Sequence, residues 1–185
     1  SYHYTVTTCV KPFEDEVINY ASYNSLARNN YYTEEKKPFE SFVSHKTYEN
    51  PYNLEEIYVG YEKFHDYLNI NNVDSFWNSE IEYYTKRNNL HLSKSNKSVV
   101  KDQTTYDIML TDTNSTRGIM VKIIVKHGRM YYVDALIDTI SGPSEFVQKF
   151  FTTFTPTDTL IGLSAFVNKS DLFFSALESA DSSKR

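Results

Sequence analysis

Cysteine is almost absent. Cys9 is the only one in 185 residues, which excludes an internal disulfide and a cysteine-rich metal cage. Positive charge is in deficit: Lys and Arg number 19 against 24 Asp and Glu, a net charge of -5. That balance argues against nucleic-acid or polybasic membrane binding, since a phosphate partner needs a positive surface. No apolar run approaches the roughly 18–20 residues of a membrane helix. Glycine and proline number five each, and tryptophan one. No segment is low-complexity, and no internal repeat stands out. The nucleotide and hydrolase signatures GxGxxG, the P-loop, HExxH and GxSxG are all missing.

What is present is aromatic: 16 Tyr and 12 Phe. With 40% hydrophobic and 23% charged residues, the chain has the composition of a folded domain rather than a disordered one. It opens on Ser1-Tyr2-His3, with no charged n-region or long apolar stretch, and closes on Ser182-Ser183-Lys184-Arg185. It therefore reads as a segment of a longer bacterial polypeptide without a signal peptide.

The clearest pattern lies in residues 105–138. Tyr106, Ile108 and Leu110, then Ile119, Val121, Ile123 and Val125, then Tyr131, Val133, Ala135 and Ile137 all recur with period two. Asp112–Thr116 supplies the first turn through Asp and Asn side chains. His127-Gly128 supplies the second, with Gly128 expected at positive φ. The result is an antiparallel meander with an apolar face of Ile, Val, Ala and Tyr. The other face, with Lys122, Lys126, Asp134 and Asp138, leans toward water.

Ser144 is the expected N-cap of a helix over 144–154, whose stripe of Phe146, Val147, Phe150, Phe151 and Phe154 would cover the meander. A second helix is expected over 74–88, capped by Asp74 or Ser75, with Trp77, Ile81 and Tyr84 inward. Strands are expected at the N-terminus (Tyr2, Tyr4, Val6), over 42–48 and near 55–67. Residues 13–28 fit helix or strand. Residues 88–104 read as one or two short strands broken by a turn at Ser93–Asn96. A short helix over about 170–179, with Ser170 as cap, would place its phenylalanines in a core.

The meander with Tyr131-Tyr132 in its last strand, followed by Ser144-Glu145-Phe146 and Phe150-Phe151-Thr152-Thr153-Phe154, resembles the C-terminal part of PsbP/Mog1-like domains. Their closing helix ends in a Phe-x-x-Ser-Phe pattern, and here Thr153 stands where Ser is usual. The motif-bearing likeness covers residues 105–154; the N-terminal half is compatible in order only. It implies an α/β/α-like arrangement around one antiparallel sheet, and a binding or assembly role with no catalytic set to carry over. Asp112–Gly118 and Asp158–Gly162 also resemble segments inside long exported Bacteroidota proteins, some carrying a TraB/GumN-type domain elsewhere. That likeness implies an extracytoplasmic location, periplasmic or cell-surface.

Candidate chemistry is thin. His3, His45, His65, His91 and His127 are scattered, and a site needs two or three converging groups. His45 and His65 would meet only if their strands pair. His65 and Asp66 would face opposite sides of a strand. Cys9 has only Lys11 beside it and reads as a small buried hydrophobe. Asp112, Asp134 and Asp138 could gather at one end of the meander, but no calcium-loop pattern accompanies them.

The expected architecture is a single α+β domain over 1–156, its antiparallel sheet covered on one face by helices, with 157–185 as a C-terminal helical extension or linker. The expected function is a non-catalytic interaction or scaffold module. It would bind a protein partner or neighbouring domains through a Tyr-rich sheet face, with Tyr48, Tyr52, Tyr58, Tyr61 and Tyr67 as contact residues. No cofactor, metal, nucleic acid or membrane span is expected. The competing reading is a small-ligand or glycan-binding, or hydrolytic, domain with a Tyr/His-lined pocket built on His45 and His65.

Overall fold

The computed structural model describes residues 4–5, 31–32, 42–50, 52–156 and 162–179. Cys9, His3 and the ambiguous stretch 13–28 lie outside them. Strands β1 (Tyr4–Thr5) and β9 (Thr155–Pro156) pair antiparallel with each other. The main sheet contains β2 (Tyr31–Tyr32), β3 (Phe42–Glu49), β4 (Glu56–Lys63), β5 (His91–Val100), β6 (Gln103–Thr111), β7 (Arg117–Lys126) and β8 (Arg129–Asp138). Its order is β2-β3-β4-β8-β7-β6-β5, antiparallel throughout. Helix α1 (Val73–Asn88) carries the chain from the middle of the sheet to its far edge, and the meander then returns to lay β8 beside β4. Helices α2 (Glu145–Thr153) and α3 (Ser170–Glu178) complete the described fold.

The α+β class and the antiparallel meander are as expected, but both faces of the sheet are buried rather than one. Lys126 pairs with Arg129 across a two-residue turn, so Ile119, Val121, Ile123 and Val125 lie opposite Leu136, Asp134, Tyr132 and Met130. Residues directly opposite one another share a face. The odd-numbered apolar residues of β7 and those of β8 therefore point to opposite sides of the sheet. Tyr131, Val133, Ala135 and Ile137 join Ile57, Val59 and the phenylalanines of α2 in one core. Val121, Ile123 and Met130 join Trp77 and Tyr84 of α1 in the other. Helices on both faces make water-facing polar rows unnecessary. Lys122 illustrates this: its Nζ donates to the Phe151 carbonyl at 2.6 Å. It supplies the positive charge that the last turn of α2 lacks in its own sequence.

Local signals explain the boundaries. Ser144 caps α2, its Oγ accepting from the Val147 amide at 3.2 Å while donating to Glu55 at 2.6 Å. The cap of α1 is Asn72, not Asp74 or Ser75; its Oδ1 accepts the Ser75 amide at 2.9 Å. Lys169, not Ser170, holds the cap position of α3. Asp112 does build its turn, accepting from the Asn114 amide and the Ser115 hydroxyl, both at 2.9 Å. In the next turn His127, not Gly128, takes the positive φ. Gly128 is needed for a different reason: a side chain there would strike the backbone of Gly162 and Leu163.

Residues 93–96 are not a turn, contrary to their polar composition. They belong to the unbroken strand β5, with a bulge between Leu92 and Lys94, and the chain reverses at Lys101-Asp102. Nor is the segment after residue 156 only a linker. Ala165 is fully buried, its carbonyl accepts the Ile70 amide at 2.7 Å, and Phe166 packs against Phe76. The phenylalanines of α3 are not core: Phe173 and Phe174 are 41% and 59% exposed. No helix among the described residues is long and apolar enough to cross a membrane.

Candidate functional site

On the α1 side, the register of three neighbouring strands sets out a polar patch. His45 of β3 lies opposite Gly60 of β4, and Gly60 opposite Tyr132 of β8. One step along, Tyr58 lies opposite Asp134; one step back, Glu62 lies opposite Met130. Helix α1 passes over this patch and lowers Glu80, Tyr83, Tyr84 and Arg87 onto it, the i, i+3, i+4, i+7 spacing of one helical face. The ten side chains line a cleft of about 270 Å³.

The groups in the cleft are strongly coupled. Tyr58 and the neutral imidazole of His45 are hydrogen-bonded through the Tyr58 hydroxyl and Nδ1, with their rings stacked 5.2 Å apart. Burial lowers the pKa of His45 and pushes Tyr58 up to about 12, so both groups are uncharged near neutral pH. The Tyr132 hydroxyl donates to Glu62 at 3.2 Å. Arg87 donates to the Tyr83 hydroxyl at 2.5 Å and lies over its ring. Burial raises Asp134 to about 6, against the pull of Arg87 and a hydrogen bond from Tyr84. Burial also raises Glu62 and Glu80, and Glu80 is raised further by the charge of Glu62. Three partly dehydrated carboxylates thus share one small space, and Arg87 bears on only one of them.

Gly60 makes this geometry possible. An edge of the Tyr132 ring presses against it, and a Cβ at position 60 would collide with the ring carbons Cδ2 and Cε2. Gly60→Ala is expected to swing Tyr132 off the sheet, break its bond to Glu62 and cost about 1–3 kcal/mol. Tyrosine fluorescence and thermal unfolding would check this; an unshifted melting midpoint would show that the ring is not held there.

The structure divides the five tyrosines expected to form one surface. Tyr48 and Tyr61 are core residues on the α2 side, 6% and 4% exposed, with Tyr48 5.1 Å from Phe150 and Tyr61 5.2 Å from Tyr131. Tyr58 is in the cleft. Tyr52 stands exposed at the β3–β4 turn, and Tyr67 packs edge-on against Phe173. Of the two histidines, His45 lines the cleft and His65 does not. His65 is five residues past Gly60, beyond the end of β4, where its Nδ1 accepts the Tyr67 amide at 3.1 Å. Asp112 and Asp138 each organise their own turn, and only Asp134 enters the cleft. Among the described residues no group of three His, Cys, Asp or Glu could hold a metal.

Glu62, Glu80, Arg87 and Tyr132 do not stand out in the sequence as site residues. A signal is nonetheless present: Tyr58, Gly60 and Glu62 share one strand face, and Glu80, Tyr84 and Arg87 one helical stripe beside Trp77. Matching the two requires knowing that α1 covers the β4–β8 pair. No family model and no curated protein matches the chain.

Proposed function

We propose that the chain is a non-catalytic binding domain whose α1–sheet cleft takes a small, donor-rich ligand of the sugar-hydroxyl type. The observation that carries this is the convergence of Glu62, Glu80 and Asp134 with Tyr58, Tyr83 and Tyr132 around one cavity. Carboxylates short of partners accept hydroxyl protons, while tyrosine rings supply flat apolar walls. No serine, threonine or cysteine nucleophile is among the described residues lining it, and the His45 imidazole is occupied by Tyr58. Both facts count against ester or amide hydrolysis by an activated side-chain nucleophile.

The PsbP/Mog1-like assignment belongs to the same proposal. Its support is the meander followed by a Ser144-capped, Phe-striped helix, with helices on both sheet faces. An extracytoplasmic location, where glycans are available as ligands, accords with the likeness to exported segments.

The test is a titration with a panel of mono- and disaccharides, read by amide chemical shifts. Shifts should concentrate on residues 58–62, 80–87 and 130–134. Tyr132→Phe, which removes one hydroxyl, is expected to weaken binding by about 0.5–1.5 kcal/mol without unfolding the domain. Shifts absent from these segments across the panel would overturn the reading.

A further inference from the structure

We propose that the outer edge of β5 is a strand-addition site for an acidic, extended segment of a partner protein. Strand β5 runs for ten residues at the end of the main sheet, and among the described residues it is paired with β6 on one side only. Every one of its residues is exposed. Its outward amides and carbonyls form a row of backbone groups that no described strand of the sheet pairs, which is the template used in strand addition.

The side chains select the occupant. The sequence of β5, His91-Leu92-Ser93-Lys94-Ser95-Asn96-Lys97-Ser98-Val99-Val100, contains two lysines and no acid, in a chain of net charge -5. The register places Lys94 with Met109 on the α2 side and Lys97 with Tyr106 on the α1 side. A strand added here meets a positive charge on each face. Lysines and a bulge on an edge strand are ordinary guards against edge-to-edge association. They repel a basic strand, and they oppose a second copy of β5, which would bring two further lysines to the same edge. An acidic strand is the one they admit.

A second feature fits the same occupant. Beside β5 a groove of about 470 Å³ is lined by Lys94, Asn96, Asp107, Met109, Met120 and Phe151, and its one acid, Asp107, is paired with Lys122 at 3.6 Å. Side chains of a strand alternate between faces. An added strand therefore projects every second side chain toward this methionine-floored groove, and the intervening ones toward Lys97.

The probe is a fluorescein-labelled peptide of alternating Glu and Val, five of each, titrated into the full chain and read by anisotropy. Amide exchange by mass spectrometry reads the site. The wild type should bind and slow exchange across 91–100. Lys94→Glu with Lys97→Glu, both on the exposed edge, should keep the native circular dichroism, lose the acidic peptide by roughly tenfold or more, and gain a Lys-Val peptide. Equal binding to wild type and variant, protection elsewhere, no binding at all, or self-association through β5 would each overturn the proposal.

Discussion

Phe150→Ala is expected to destabilise the fold by about 3–5 kcal/mol, a large part of what a domain of this size has to lose. Phe150 is fully buried at the centre of the α2 contact, with ring centroids 5.1 Å from Tyr48, 6.4 Å from Phe146 and 6.2 Å from Phe154. Neighbouring rings are too rigid to close the cavity left behind, so both the transfer and the cavity costs should appear. Phe174→Ala is the control. It lies on α3 and is 59% exposed, and its removal should change stability by no more than about 0.5 kcal/mol. Urea unfolding of both variants reads the contrast as a shift in midpoint at constant slope. A loss below about 1 kcal/mol at position 150 would mean that α2 is not docked by its phenylalanine stripe.

That contrast also shows where the sequence is readable. Both helices have phenylalanines at helical spacing, and both suggest burial. The stripe of α2 continues over Phe146, Val147, Phe150, Phe151 and Phe154 and meets the apolar residues of β4 and β8. In α3 only Ala176 is buried, and Phe173 packs against Tyr67 and Phe174 rather than into either core of the sheet. Periodicity identifies an amphipathic element but not whether a partner surface lies beneath it.

The meander is legible for a simpler reason: β-branched and aromatic residues recur in it with period two and its turns carry Asp, Asn and Gly. Its facing is not legible, because a two-residue turn exchanges odd and even positions between neighbouring strands. Strand β5 leaves no trace in the hydrophobic pattern. It is polar on both sides, as an edge strand can be, so it has no alternation to find. The cleft is hidden by the same exchange of faces. Alternation alone groups Asp134 with Lys122 on a wet face, whereas the register puts Lys122 under α2 and Asp134 under α1.

Asp134→Asn should make the protein more stable at pH 7, by up to about 3 kcal/mol, with the gain fading to near zero below about pH 4. The sign follows from the carboxyl being raised from 3.8 to about 6 in the folded state, mainly by burial. Below pH 4 it is protonated in both states and has no differential effect. Between about 4 and 6 the unfolded chain gives up this proton and the folded chain retains it, so native stability falls as pH rises. Above 6 the cost of the buried charge is complete, which is the source of the figure of about 3 kcal/mol. Asparagine removes the charge yet keeps a carbonyl to accept the hydrogen bond from Tyr84. Asp112 and Asp138 are shifted the opposite way by their turn hydrogen bonds. Wild type and variant share those contributions, so the informative quantity is the difference between the two proteins from about pH 3.5 to 8. A variant that is no more stable at pH 7, or a difference that does not narrow toward pH 4, would show that Asp134 is not held as a strained charge. If the gain appears together with weaker saccharide binding, the carboxylate is kept in the cleft at the expense of stability, the exchange expected of a binding site rather than of a core.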